Sequence, residues 1–207
     1  MPGLGDGPFA LPLGVAAKAA IFPTLVQNVL TGTASTSITI AAATSGNCLV
    51  MVTNSTGGQV TGPSCTNVTW TSIHSGAVGG GSFYTIWIGK VAGGASGTSI
   101  TMTKPGSFNS IWAGEITDAL TPTLGQNFAG SGSYSAERGI AATTAGHLII
   151  AAGGADNTGG GNEMSLSLPA VGQSFGFVTC LMAYSQGSRV YANLWSGAGE
   201  LLIAEVT

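Results

Sequence analysis

From Leu25 onward, apolar and polar residues alternate in short runs that glycine, serine and threonine keep interrupting. In TSITMT (98–103), Ile100 and Met102 share one face; in RVYANLW (189–195), Val190, Ala192 and Leu194 do the same. A period of two predicts strands, and the β-branched and aromatic residues that fill these runs suit a pleated surface. Glycine-rich connections at 79–81, 92–97, 153–161 and 196–199 separate them. No stretch keeps a 3.6-residue apolar period over a dozen positions, so the chain reads as all-β. Two runs are apolar on both faces: CLVMV (48–52) and LIIAA (148–152). One face of each is expected to fill a core. The other needs cover from the N-terminal segment, a loop or another subunit, which points to a homo-oligomer.

The pattern also repeats. ITIAAATSGNCLV (38–50) echoes GIAATTAGHLII (139–150): Ile40, Ala41, Ala42, Thr44 and Gly46 return as Ile140, Ala141, Ala142, Thr144 and Gly146. After each copy come an apolar strand, a glycine-rich loop and a hairpin-like strand (67–73, 164–168). An aromatic strand (83–91, 175–185), an alternating strand and a last strand (110–117, 201–206) follow. Two halves of four or five strands each predict a two-sheet, jelly-roll-like sandwich over residues 25–207, with both halves contributing strands to shared sheets. A half of about 90 glycine-rich residues would hardly sustain a core alone.

Residues 1–24 break the pattern. Pro2, Pro12, Pro23 and four glycines rule out a long helix or strand, while Phe9, Leu11, Leu13, Ile21 and Phe22 are too apolar for a solvated linker. An extended docking arm on a neighbouring surface is expected, against the alternative of an arm folded back on its own domain. The segment lacks the positive start and unbroken apolar stretch of a signal peptide, so synthesis in the cytoplasm is expected.

Charge sharpens the picture. Only 6% of the 207 residues are charged, against about a quarter in an ordinary domain, and 34 are glycine. A chain this neutral is not kept dispersed by surface charge, which again favours packing in an assembly. The five basic residues are scattered singly, which argues against direct binding to DNA or RNA. No basic amphipathic helix suggests membrane docking, and no apolar run reaches the roughly 18 residues of a bilayer span.

Candidate chemistry is sparse. GQSFG (172–176) matches a nucleophile-elbow pattern around Ser174, but no helix is predicted after it. His74 and His147 have no ligand-spaced companions, so neither a metal nor a cofactor is expected, and His147 reads as a polar turn residue in the place of Asn47. Glu115 with Asp118, and Glu137, are the only acids placed to form a pair, and they read as solvated acids rather than a glycosidase couple. No residue is expected to be catalytic. Cys48, Cys65 and Cys180 are expected as free thiols, with a Cys48–Cys65 pairing left open. Among the aromatics, Trp70, Trp87 and Trp112 are candidates for stacking on sugar rings, weighed against the commoner role of filling a core.

Several segments together carry a likeness: 25–52, SFYTIWIGKVAGGASGTSITMT (82–103), SIWAGEITDA (110–119) and AATTAGHLIIAA (141–152). They contain a T-x-G-N turn before an apolar strand (44–47), an IW…VAGG strand and turn (86–94), and a glutamate-bearing strand (111–116). In these the chain resembles the jelly-roll or sandwich domains of tailed-bacteriophage structural proteins. An Asp-x-x-Gly-Asn turn usual in that group is replaced here by TNVTWTSI (66–73). The resemblance implies a virion component, a capsid decoration or head-fibre subunit, with a tail-fibre or minor tail protein as the near alternative. It implies capsid or tail proteins as partners of the arm and, by analogy, a trimer. A carbohydrate-binding adhesin for host-surface glycans is the alternative of a different class.

Overall fold

The structure, a computed structural model, describes residues 23–31, 37–58, 60–79, 82–93, 98–103, 107–117, 122–132, 138–140, 143–155, 164–168, 170–175, 178–194 and 199–206. Phe9, Leu11, Leu13, Ile21 and Phe22, expected in a docking arm, lie outside them.

All the regular structure among the described residues is strand. The first half comprises β1 (Leu25–Thr31), β2 (Ser37–Ile40), β3 (Cys48–Thr56), β4 (Thr61–Ser64), β5 (Val68–Gly79), β6 (Ser82–Val91), β7 (Thr98–Thr103) and β8 (Ser107–Ile116). The second comprises β9 (Leu124–Gly132), β10 (Arg138–Ile140), β11 (Leu148–Ala155), β12 (Met164–Leu166), β13 (Val171–Phe175), β14 (Val178–Tyr184), β15 (Val190–Leu194) and β16 (Gly199–Val206).

The strand order is the same in both. In the first half a five-stranded sheet runs β1-β8-β3-β6-β5 and a three-stranded sheet β2-β7-β4. In the second the orders are β9-β16-β11-β14-β13 and β10-β15-β12. Each half is therefore a complete eight-stranded antiparallel winding of the jelly-roll kind. This corrects the expectation of shared sheets built from four or five strands per half: none of these sheets mixes strands of the two halves. It also shifts one equivalence. The partner of β5 is β13, and Met164–Leu166 corresponds to β4.

The halves join through their faces instead. One core cluster takes Cys48, Val50, Val52, Ile86, Ile88 and Trp112 from the first five-stranded sheet and Leu148, Ile150, Ala152, Met182, Leu202 and Ala204 from the second. Leu49, Met51, Ile111 and Ala113 point the other way, onto Ile38 and Ile40 of the small sheet. Ile149, Ala151, Leu201 and Ile203 meet Ile140, Val190 and Ala192 likewise. The layers thus stack three-five-five-three. That order explains why CLVMV and LIIAA are apolar on both faces, while β2 buries only Ile38 and Ile40 and exposes Ser37 and Thr39. The second face needs no other subunit or arm to cover it. Burial of this kind stabilises by roughly 25 cal/mol per Å² of apolar surface, which is why the sandwich interior dominates the fold.

Candidate functional site: two glutamate-centred turns

The strongest concentration of polar chemistry occurs twice, at equivalent places. Glu115 near the end of β8 is fully buried among apolar strands. Isolated, such a charge would be costly. Here Gln27 Nε2 donates to it at 2.6 Å, Asn47 Nδ2 at 2.6 Å and the Thr44 backbone N–H at 2.8 Å. Burial alone would raise the carboxyl pKa, but these donors outweigh it and hold Glu115 below the usual carboxylate value. Gln27 also grips the chain beyond β2, accepting from Ala41 N at 2.9 Å and donating to Ala41 O at 3.3 Å.

Glu205 near the end of β16 repeats the arrangement. It accepts from Thr144 N at 2.8 Å and lies 2.8 Å from His147 Nδ1, with a longer bond from Gln126 N at 3.4 Å. Burial opposes its ionisation and the three partners, with the His147 charge, override that, so its pKa too is lowered. Gly125 makes room, since a Cβ there would sit 3.0 Å from Glu205 Oε2.

Local geometry is shared as well. A β-bulge faces each acid: Leu25 pairs with Ile116 but Gln27 with Glu115, and Leu124 pairs with Val206 but Asn127 with Ala204. Bulges of this kind re-aim side chains at the edge of a sheet. The turns they meet are closed by Asn47 N to Thr44 O (3.1 Å) and His147 N to Thr144 O (3.2 Å). They are docked on the next strand by Gly46 N to Val91 O (3.0 Å) and Gly146 N to Ser185 O (2.8 Å). Gly46 and Gly146 hold φ of 90° and 88°, a region that favours glycine. Each carboxylate therefore ties three elements together: the opening strand, the turn between the second and third strands, and the closing strand.

The T-x-G-N turn and the glutamate-bearing strand, separate features in the sequence, are thus one structure. Glu115, expected as a solvated acid, is instead buried because the turn and the bulged strand close over it; Asp118 and Glu137 lie outside the described residues. Glu205 is absent from the sequence-based candidates. The signal for it is the echo itself: the offset between the two last strands carries IWAGEI onto LLIAEV and Glu115 onto Glu205.

The remaining candidates are dispersed. Trp112 is fully buried in the central core, its ring folded over Gly114, so it offers no face to a sugar. Trp70 and Trp87 pack half-buried against the first outer core, Trp70 lying across Gly89, and both indole N–H groups are buried without acceptors. Ser174 lies inside β13, paired with Thr179, and not on a strand-to-helix elbow. None of Cys48, Cys65 and Cys180 is in a disulfide, and Cys48 and Cys180 are buried. Burial raises the pKa of Cys65 and Cys180. Among the described residues no group of three or more His, Cys, Asp and Glu side chains is placed to hold a metal ion, and no helix is long and apolar enough to cross a membrane.

No protein-family model matches this chain, and comparisons with curated proteins and with solved structures found no match.

Proposed function

We propose that the chain is a structural subunit of a tailed-phage virion, of the capsid-decoration or head-fibre kind, that acts by assembly. The observation that carries this reading is where the charge goes. A chain with 6% charged residues turns two of its eight acids, Glu115 and Glu205, inward to fix turns. The doubly apolar strands β3 and β11 are already covered within the chain, and exposed positions among the described residues include uncharged ones such as Ser37, Thr39, Ser64 and Thr69. A rigid, neutral block of this kind suits permanent packing among other subunits. Residues 1–24 are the proposed anchor to a capsid or tail protein, each apolar side chain among them worth roughly 1.5–3 kcal/mol when buried. With the doubly apolar strands accounted for internally, self-association into a trimer rests on the neutral exterior and on analogy with virion proteins.

The test is incorporation. Particles assembled with the full chain should carry it at fixed copy number by quantitative mass spectrometry, and deletion of residues 1–24 should remove it. Retention of the truncated chain at full copy number would place the anchor on the sandwich. Absence of the full chain from purified particles, together with saturable binding to a glycan array, would replace this reading with the adhesin.

A further inference from the structure

Among the described residues, His74 is a histidine placed at the contact between the two jelly rolls. In β5, Ser72 pairs with Trp87 and His74 with Ile86, leaving Ile73 as the extra residue of a bulge. Ile73 and Ile86 both belong to the central core, and cross-strand partners share a sheet face, so His74 faces the second half. There β5 packs on β9 and β16. The imidazole Nε2 is buried and has no hydrogen-bond partner. Burial accordingly lowers the His74 pKa from its ordinary 6.5.

We propose that His74 makes the seam between the halves acid-sensitive. As a neutral imidazole it packs between them; protonation places an unpaired cation in the seam and loosens β5 from β9 and β16.

β4 and β9 carry no ionisable residue. On β6, Lys90 is exposed and pairs with Thr69, five residues from His74 along β5. On β16, Glu205 belongs to the opposite sheet face, with Ile149 as its register partner, and is taken up by Thr144 and His147. Glu200, the register partner of Gly154 and Ser131, is the remaining carboxylate of that strand. The pseudo-equivalent contact of β1 with β13 has no titratable group on either strand. Acid would therefore act on one side of the seam.

Because the folded pKa lies below the unfolded one, stability is complete above about pH 6.5 and falls as the pH drops through the folded value. The full chain should be unfolded in denaturant at pH 7.5 and pH 5.0, with backbone hydrogen exchange followed at both. The folded-to-unfolded ratio should fall severalfold, up to about tenfold for each unit of depression. Exchange protection should drop in β5, β9 and β16 while β10, β12 and β15 keep theirs. His74→Gln should abolish the dependence, and Glu200→Gln should leave it in place. Flat stability between the two pH values would overturn the proposal. So would a gain of stability on acidification that Glu200→Gln removes, since His74 would then have a counter-ion. Should His74→Gln fail to fold, unchanged protection of β5, β9 and β16 in the natural chain at pH 5.0 would overturn it equally.

Discussion

The two jelly rolls share one winding and meet face to face, yet they bring different side chains to the meeting. On β6 and β8 the first half supplies large side chains: Trp112, Tyr84, Ile86, Ile88 and Ile116. At the equivalent positions the second supplies Cys180 for Ile86, Met182 for Ile88 and Leu202 for Trp112, while on the middle strand Leu148 and Ile150 replace the smaller Cys48 and Val50. Two copies of one face would set large groups against large ones. Close packing at interior density favours large residues opposite small, and the halves carry their large side chains on different strands. The same division appears at the turns. Asn47, a neutral amide, serves Glu115, whereas His147, 29% exposed, serves Glu205. The outer surfaces differ too: Ser37 and Thr39 on the first small sheet, against Arg189 stacked 5.5 Å from the Tyr191 ring centroid on the second. The two halves share the path of the backbone, and each packs it with its own side chains.

The sharpest way to break this complementarity is to remove the bulk. Trp112→Ala should cost about 3–5 kcal/mol, because the cavity would open between the sheets where neither half can collapse alone. The structurally equivalent Leu202→Ala should cost about 2–5 kcal/mol and fall below it in the same denaturant titration. Equal or reversed losses would mean that the central core does not depend on the first half for its volume. Overfilling a small position tests the same point: Ala152→Leu should destabilise by about 1–3 kcal/mol.

The acids come next. Glu115→Ala would leave Gln27, Asn47 and the Thr44 N–H without their acceptor, and a loss of about 3 kcal/mol is expected, in the range for a broken buried charge arrangement. Glu205→Ala should cost less. The His147 ring is partly in water already and can take a solvent partner when the carboxylate goes. Thermal or chemical unfolding of the two variants decides this, and an equal loss would show that the exposed ring contributes as much as the buried amide.

Much of the fold was legible from alternation. The strands over 98–103 and 190–194, the absence of sustained helical periodicity and the echo at 38–50 and 139–150 follow from patterns that local sequence carries. Layering did not. The doubly apolar faces of Cys48–Val52 and 148–152 announce only that both sides are covered, and a second subunit or the other half would satisfy that equally. The turns were half legible: glycine at a positive φ marks Gly46 and Gly146 locally, but Glu115 reaches Thr44 over 71 residues of chain and nothing in that spacing announces the contact. Trp112 shows the limit most plainly. Its composition suits a sugar platform as well as a core, and only its place on the inner face of β8 separates the two.

Acid should separate the halves' turns from the seam. Both glutamates have folded pKa values below the unfolded carboxylate value of about 4.3, so their contribution is complete above that pH and is lost as the pH falls through the folded values. Stability should therefore decline below about pH 4.3. Glu115→Gln, which cannot ionise, should flatten part of this lower limb while leaving the decline between pH 7.5 and 5.0 untouched. An acid limb unchanged by both Glu115→Gln and Glu205→Gln would assign it to other carboxylates.

The smallest expected effect is at the turn glycines. At Gly46 and Gly146 an added Cβ would meet nothing within 4 Å, so alanine causes no clash and only the left-handed backbone opposes it. A cost of about 1 kcal/mol is expected for Gly46→Ala, typical of an L-residue forced to positive φ. Gly146→Ala should match it, because φ, the closing hydrogen bond and the docking bond on the next strand are the same in both halves. Paired stability curves of the two variants compare the copies where their side chains differ least. A difference beyond about 0.5 kcal/mol would mean that divergence between the halves has reached the backbone itself.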